Sequence, residues 1–114
     1  MPTFEQGDVI RVPFPYTDRD TRQHRPALVV SAGALGDQDR LLWVVMITSA
    51  ENRRWPGDVE LVENHLEVGL PVPSLIRTTK IATIEVDHAD RLGSLPAESW
   101  VQVSARVGSH LAFS

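Results

Sequence analysis

Cysteine is absent from the chain, which excludes disulfide staples, a thiolate nucleophile and a thiolate zinc cage. Long apolar runs are absent too, and none approaches the ~20 residues that a membrane span requires. The opening MPTFEQGD turns polar and acidic at once, unlike the basic start and apolar core of a secretory signal. These absences predict a cytoplasmic protein. Lysine is nearly missing: Lys80 stands against ten arginines. Arginine offers a planar fork suited to phosphate where lysine offers a point charge, although arginine-rich codon usage gives the same ratio. Fifteen acidic against eleven basic residues leave a net charge of −4. That balance argues against a protein that coats nucleic acid indiscriminately, but leaves room for a local basic groove.

Repeats, low-complexity tracts and linker-like stretches are also lacking, so the 114 residues read as one domain over 1–114. A domain of this size buries roughly two-thirds of the surface its unfolded chain exposes, enough to fold without a metal or a disulfide. The sequence contains no Gly-rich phosphate loop, no GxSxG elbow and no HExxH helix.

What is present is a series of strand patterns followed by one helix. In residues 8–14, DVIRVPF, the side chains Ile10, Val12 and Phe14 alternate with Val9, Arg11 and Pro13, a strand with the first three on one face. Pro13 and Pro15 donate no backbone hydrogen bond and predict an edge or a bulge there. Residues 16–24, YTDRDTRQH, read as an exposed polar loop. Residues 25–31, RPALVVS, predict a strand buried on both faces. Residues 32–40 carry Gly33, Gly36 and two Asp and read as a turn. Residues 41–49, LLWVVMITS, form the strongest strand pattern, rich in β-branched and aromatic residues.

A basic, aromatic loop over 50–57 precedes a short strand at 58–62, and 63–73 shows no clear pattern. Residues 74–77 and 80–84 predict two short strands or one bent strand, and 87–93 a turn or helical turn. After Pro96, the apolar residues Trp100, Val103, Val107 and Leu111 recur at spacings of three and four, the mark of an amphipathic helix, with Gly108 weakening its end. The fold class expected is mainly β with a C-terminal helix (α+β), a small bent sheet or partly open barrel.

The histidines His24, His65, His88 and His110 lie far apart in sequence. His88 between Asp87 and Asp90 reads as a solvated turn, so neither a metal site nor a cofactor is expected. Polar groups instead gather at the ends of strands: Arg25 opens the second, Thr48 and Ser49 close the third, and Arg77 sits between Leu75, Ile76 and two threonines. Strand ends are where a rigid sheet holds binding groups still. The same residues also fit structural roles, with Arg25 pairing Asp18 or Asp20, Thr48 a β-former and Arg77 a snorkelling cation.

Three blocks carry a resemblance. Residues 7–31, GDVIRVPFPYTDRDTRQHRPALVVS, resemble the N-terminal signature of the MazF/PemK family of toxins from toxin–antitoxin systems: a GDV-type strand, a polar loop and an RPA-hydrophobic-S strand. VVMITS at 44–49 resembles the family's apolar strand ending in Thr-Ser. SLIRTTKIATIEVDHADRL at 74–92 resembles, more loosely, its third block.

The resemblance implies an SH3-like barrel that dimerises, an endoribonuclease that cleaves single-stranded RNA at short sequences without a metal, and a cognate antitoxin that holds it inactive. It also implies products with 2′,3′-cyclic phosphate and 5′-hydroxyl ends. By motif position it makes Arg25, Thr48 and Arg77 the catalytic candidates. Around them, Tyr16, Asp18, Arg22, His24, Ser49, Arg53, Arg54, Trp55 and Thr79 are candidates for RNA binding.

Cleavage through the 2′-oxygen needs an acceptor for the 2′ proton, donors for the charge growing on the phosphoryl oxygens, and a proton for the leaving 5′-oxygen. Arginines clamp phosphate and hydroxyls donate to it. Because arginine side chains stay protonated, Arg25 is assigned to charge stabilisation or proton donation. Some members carry Asp at the position of Thr79, and threonine is a poor base. His24 is a proton-transfer type of residue, yet it shares Arg25's site only if it lies in the loop, since neighbouring strand residues face opposite ways.

The expected RNA groove runs between residues 16–24 and the loop of Arg53, Arg54 and Trp55, where Tyr16 or Trp55 stacks a base. For Trp55, a core or dimer role stands beside that one. Two other functions remain open: a non-catalytic barrel that binds RNA or a protein partner, and a gyrase-directed toxin on the same fold. An antitoxin is expected to fold on binding into the groove and cover Arg25, with local pairing and apolar contacts dominating.

Overall fold

Five of the six strands form where the sequence shows a strand pattern, and all six join a single antiparallel sheet. The computed structural model describes residues 3–14 and 23–112. The elements are β1 (Asp8–Phe14), β2 (Gln23–Val29), β3 (Leu41–Ser49), β4 (Asp58–Leu61), β5 (Ser74–Glu85), β6 (Asp90–Ser94) and α1 (Ala97–Leu111). They pair in the order β4-β5-β3-β2-β1-β6, every neighbour antiparallel.

Both faces of the sheet are apolar. Ile10, Val12, Ala27, Val29, Val44 and Met46 pack on one face with Phe4, Val86 and Ala89. Val9, Leu28, Val45, Ile47, Val59 and Ile76 pack on the other, where Val103 of α1 and Val68 and Leu70 from the 62–73 segment cover them. The twisted sheet curls around the first face, and the helix and the 62–73 segment cover the second. The result is a six-stranded half-barrel with one terminal helix, as expected.

Several details refine the sequence reading. β2 begins at Gln23, two residues before the expected start, and ends at Val29. The N–H groups of Val30 and Ser31 both turn to the Trp43 carbonyl, at 2.9 and 3.3 Å. β6 pairs with β1 only from Asp8 to Arg11, so Pro13 lies beyond that pairing, with no strand on its outer side among the described residues. The side chain of Phe14 lies outside those described. Residues 74–85 form one strand, bent where the register against β3 jumps from Val45↔Ile81 to Met46↔Arg77.

One strand escaped the sequence pattern. Residues 87–93 were expected to be a turn or helical turn, and a helical turn occupies Val86–His88, but β6 follows at Asp90–Ser94. Asp90, Arg91 and Leu92 are exposed and show no alternation, so its extended form is imposed by pairing with β1. Two glycines allow the neighbouring backbone to approach. A Cβ on Gly69, at φ +86°, would lie 2.4 Å from the Leu92 carbonyl oxygen, and one on Gly93 would lie 2.6 Å from that of Val68.

Helix α1 starts after Pro96, whose fixed φ suits a helix entry, and stops where Ala112 turns left-handed and bonds back to the Gly108 carbonyl at 2.9 Å. Val103 is fully buried and Trp100 and Val107 pack beside it, whereas Leu111 stays half exposed. Two side chains clasp the helix to the sheet. Arg106 donates to the Asp58 carbonyl at 2.8 Å, and His110 Nε2 meets Thr78 Oγ1 at 3.1 Å. Thr78 donates its own proton to the Gly57 carbonyl at 2.7 Å, so His110 is the donor in that contact. No helix among the described residues is long and apolar enough to cross a membrane.

Candidate nucleic-acid interface

The start of β2, the end of β3 and the start of β5 meet at one end of the sheet, because antiparallel neighbours alternate in direction. Register places the three expected catalytic side chains on one face there. Val12 pairs with Arg25, Ile10 with Ala27, Ala27 with Met46, and Met46 with Arg77. Thr48 follows Met46 by two residues and pairs with Leu75. Paired residues, and residues two apart on a strand, share a face. Arg25, Thr48 and Arg77 therefore extend the face that holds Ile10, Val12 and Met46, beyond the point where that core ends.

Their states differ. Arg25 is exposed and donates to the Gln23 Oε1 oxygen at 2.9 Å. Among the described residues that is the one hydrogen bond its side chain makes, and it uses one of a guanidinium's five donors. Thr48 is partly buried, and its Oγ1 accepts a hydrogen bond from Asn52 Nδ2 at 2.6 Å. Because that oxygen is the acceptor, the hydroxyl proton is directed elsewhere, and no acceptor for it occurs among the described residues. Ser49 Oγ is occupied by the Glu51 N–H at 3.1 Å, a local turn contact.

Arg77 is buried. Its Nη1 meets Asp58 Oδ2 at 3.3 Å, its Nη2 donates to the Arg53 carbonyl at 2.8 Å, and its guanidinium carbon lies 4.0 Å from the centroid of the Trp55 ring. The expected phosphate clamp is thus, in the free protein, the anchor of the 50–57 loop. Asp58 completes the unit: its Oδ2 also accepts the Trp55 backbone N–H at 2.9 Å, while its buried Oδ1 has no hydrogen-bond partner among the described residues. Arg54 is drawn to Glu60 at 2.9 Å in an exposed ion pair. Trp55 keeps 36% of its surface exposed, so it is neither core nor fully free.

Other candidates are dispersed. His24 belongs to β2 and pairs with Pro13, which turns it to the opposite face from Arg25. Thr79 is exposed in the bulge between Arg77 and Ile81, outside the regular alternation of the strand. Tyr16, Asp18 and Arg22 lie outside the described residues, as does most of the loop expected to form one wall of the groove. Asp87, His88 and Asp90 do not converge, and no group of three potential metal ligands occurs among the described residues.

Sequence reasoning missed Asn52 and Asp58. Asn52 sits in a polar turn with no periodic signal, and its use depends on the turn bringing it back over Thr48. Asp58 looked like an ordinary strand opening; its burial beside Arg77 follows from the β4–β5 register, which pairs the two residues directly.

This half-barrel with one terminal helix is a fold that solved structures and a family model share. A family model for the PemK-like, MazF-like toxin of type II toxin–antitoxin systems matches residues 5–111. No curated protein matches the chain in sequence. Among solved structures, a MazE–MazF complex from Deinococcus radiodurans is similar, with a TM-score of 0.74 and 22% identity over 100% of both chains. MazF alone from the same organism gives 0.73 and 20%, over 99% of this chain and 100% of that one. An endoribonuclease in complex with its cognate antitoxin from a mycobacterial species gives 0.71 and 19%, over 100% and 98%. The chain belongs to the PemK-like, MazF-like family of type II toxins, a family generally of endoribonucleases.

Proposed function

We propose that this toxin is a metal-independent endoribonuclease that cleaves single-stranded RNA at a short sequence, with Arg25 and Thr48 at the reacting phosphate. The 2′-oxygen attacks phosphorus and gives up its proton to a solvent water, the bond from phosphorus to the 5′-oxygen breaks, and that oxygen takes a proton from solvent. The products are a 2′,3′-cyclic phosphate and a 5′-hydroxyl. Arg25 neutralises the charge that grows on the phosphoryl oxygens and on the leaving oxygen. Thr48 donates its hydroxyl to the same phosphate, oriented by Asn52. Arg77, its charge paired with Asp58, fixes the 50–57 loop beside them.

The observation that carries this reading is the shared register face of Arg25 and Thr48 at one sheet end, with the Thr48 proton left free by Asn52. Cleavage of mRNA would inhibit translation and growth, and an antitoxin segment that folds over Arg25 would prevent it. We also assign a homodimer. Trp43 and Ile81, half exposed at 50% and 53%, line an open apolar groove of about 730 Å³ with Leu35, Val107 and Leu111, and a second copy is the occupant proposed. A cytoplasmic site of action accords with an mRNA substrate.

The test is incubation of the purified protein with a long, weakly structured RNA in excess EDTA, beside a folded Arg25→Ala control, with mapping of the product ends. Discrete cuts by the wild type alone, carrying cyclic phosphate and 5′-hydroxyl ends, are expected. A second reading, a barrel that binds RNA or a protein partner without cutting, draws on Thr79 standing where an acid would serve as base and on the closed state of Arg77. Absence of cutting across several RNAs would put that reading in the lead, with Thr79 the first residue to examine.

A further inference from the structure

Trp55, Arg77 and Asp58 form a layered unit that joins the 50–57 loop to the sheet. We infer that the exposed surface of Trp55 is a stacking platform for one unpaired RNA base, and that Asp58, acting through Arg77, is the positioning residue that holds it. The inference rests on the RNA reading above and adds to it a residue, Asp58, and a chemical class of contact.

The geometry is that of a fixed ring. Arg77 lies 4.0 Å from the ring centroid, a cation–π contact, and cannot drift because Asp58 and the Arg53 carbonyl hold its two amino groups. The same carboxylate oxygen accepts the Trp55 backbone N–H, so one atom restrains both the main chain of the tryptophan and the cation against its ring. Asp58 is itself fixed, its N–H donating to the Trp55 carbonyl at 3.1 Å and its carbonyl taking Arg106 of α1 at 2.8 Å.

An indole held this way loses little freedom when a base stacks on it, which favours binding. It nevertheless keeps 36% of its surface exposed, a large apolar area left in water at the sheet end that carries Arg25 and Thr48. Stacking on an aromatic ring tolerates any base, because every base has a π-face, but requires that the base be unpaired. The platform therefore contributes affinity and a preference for single strands, whereas base identity is read elsewhere.

Asp58 suits a positioning role for a further reason. Its Oδ1 is buried and without a partner among the described residues. In Asp58→Asn, the amide oxygen can keep both donors while the amide nitrogen takes the vacant side, so shape is retained and only charge is lost. In Asp58→Ala both contacts go.

The experiment uses the full chain and a short labelled RNA spanning a mapped cut, made uncleavable by a 2′-deoxy sugar at the scissile position. Each nucleobase in turn is replaced by an abasic site, and Kd is measured for the wild type, Trp55→Ala, Trp55→Phe, Asp58→Ala and Asp58→Asn. In the wild type one abasic position is expected to weaken binding about tenfold, within the range seen when a stacked base is lost. Trp55→Ala should bind the intact RNA about as weakly and show under about twofold penalty at that position, while Trp55→Phe keeps most of it. Asp58→Ala should reduce the same penalty and, on the cleavable all-ribose RNA assayed in parallel, raise KM about fivefold with little change in kcat, and Asp58→Asn should restore most of both.

An unchanged abasic profile in Trp55→Ala overturns the platform while leaving the nuclease intact. A platform lost with Trp55 but unaffected in a folded Asp58→Ala overturns the positioning role. If Asp58→Ala does not fold, the isosteric Asp58→Asn decides that role: a penalty equal to the wild type's, with Arg77 still against Trp55 in a crystal structure, supports it, and Arg77 displaced with the penalty unchanged overturns it. A wild type that neither cuts nor binds RNA overturns the RNA reading itself, and the platform with it.

Discussion

Arg77 Nη1 lies 3.3 Å from Asp58 Oδ2, with the two side chains 7% and 0% exposed, an ion pair sealed beneath the 50–57 loop. A buried pair contributes little relative to an apolar core, yet removing one partner strands the other charge in a low dielectric. Arg77→Leu should therefore destabilise the fold by about 3–5 kcal/mol. Urea unfolding followed by circular dichroism reads this directly, and a variant with the wild-type midpoint would refute the anchor role. Loss of toxicity in an Arg77 variant then reports stability before it reports catalysis.

Arg25 presents the opposite case. It is exposed and bonded only to Gln23 among the described contacts, so Arg25→Ala should change stability by no more than about 0.5 kcal/mol. Cleavage should nevertheless fall by about 100-fold or more, as loss of a preorganised donor to a developing oxyanion does. Parallel measurement of unfolding midpoint and RNA cleavage separates the two effects.

Thr48 and Asn52 make a graded series. Thr48→Val removes the donor and should lower kcat about 100-fold, whereas Thr48→Ser keeps it. Asn52→Ala leaves the hydroxyl but frees its orientation, costing about 1 kcal/mol, or roughly fivefold in rate. Single-turnover cleavage would check the order, and an Asn52→Ala rate as low as that of Thr48→Val would contradict an orienting role.

Glycines at different positions should respond with opposite signs. Gly69→Ala forces a Cβ onto the Leu92 carbonyl at 2.4 Å, from a left-handed φ of +86°, and should destabilise by about 1–3 kcal/mol. Gly108 lies within α1 with nothing inside 4 Å of an added Cβ, so Gly108→Ala should stabilise by roughly 0.5–1 kcal/mol. Thermal unfolding of the two variants tests both.

If a second copy covers the groove of Trp43, Ile81 and Leu111, a charge placed there will be buried without a partner. Trp43→Glu should shift sedimentation from dimer to monomer while leaving the secondary structure intact. A variant that still sediments as a dimer would move the interface to another surface.

Much of this was legible in the residues. The bounds of β1 matched its alternation, those of β3 its run of β-branched and aromatic residues, and the helix followed its three-and-four spacing from Pro96. The shared face of Arg25, Thr48 and Arg77 was not legible, since it depends on which strand pairs with which and in what register. β6 left no pattern, as its five residues are mostly exposed and owe their extension to β1, some eighty positions away in the chain.

Local periodicity and the absence of cysteine thus determined, from the sequence alone, a curled sheet with one helix held by apolar packing. Its three motif blocks determined the family. Only the tertiary structure decided that Arg25 stays exposed while Arg77 is locked to Asp58 and Trp55. The two arginines look alike in sequence because a side chain's partners come from distant strands. Whether a cation meets solvent or a buried carboxylate is settled by pairing, not by its neighbours in the chain.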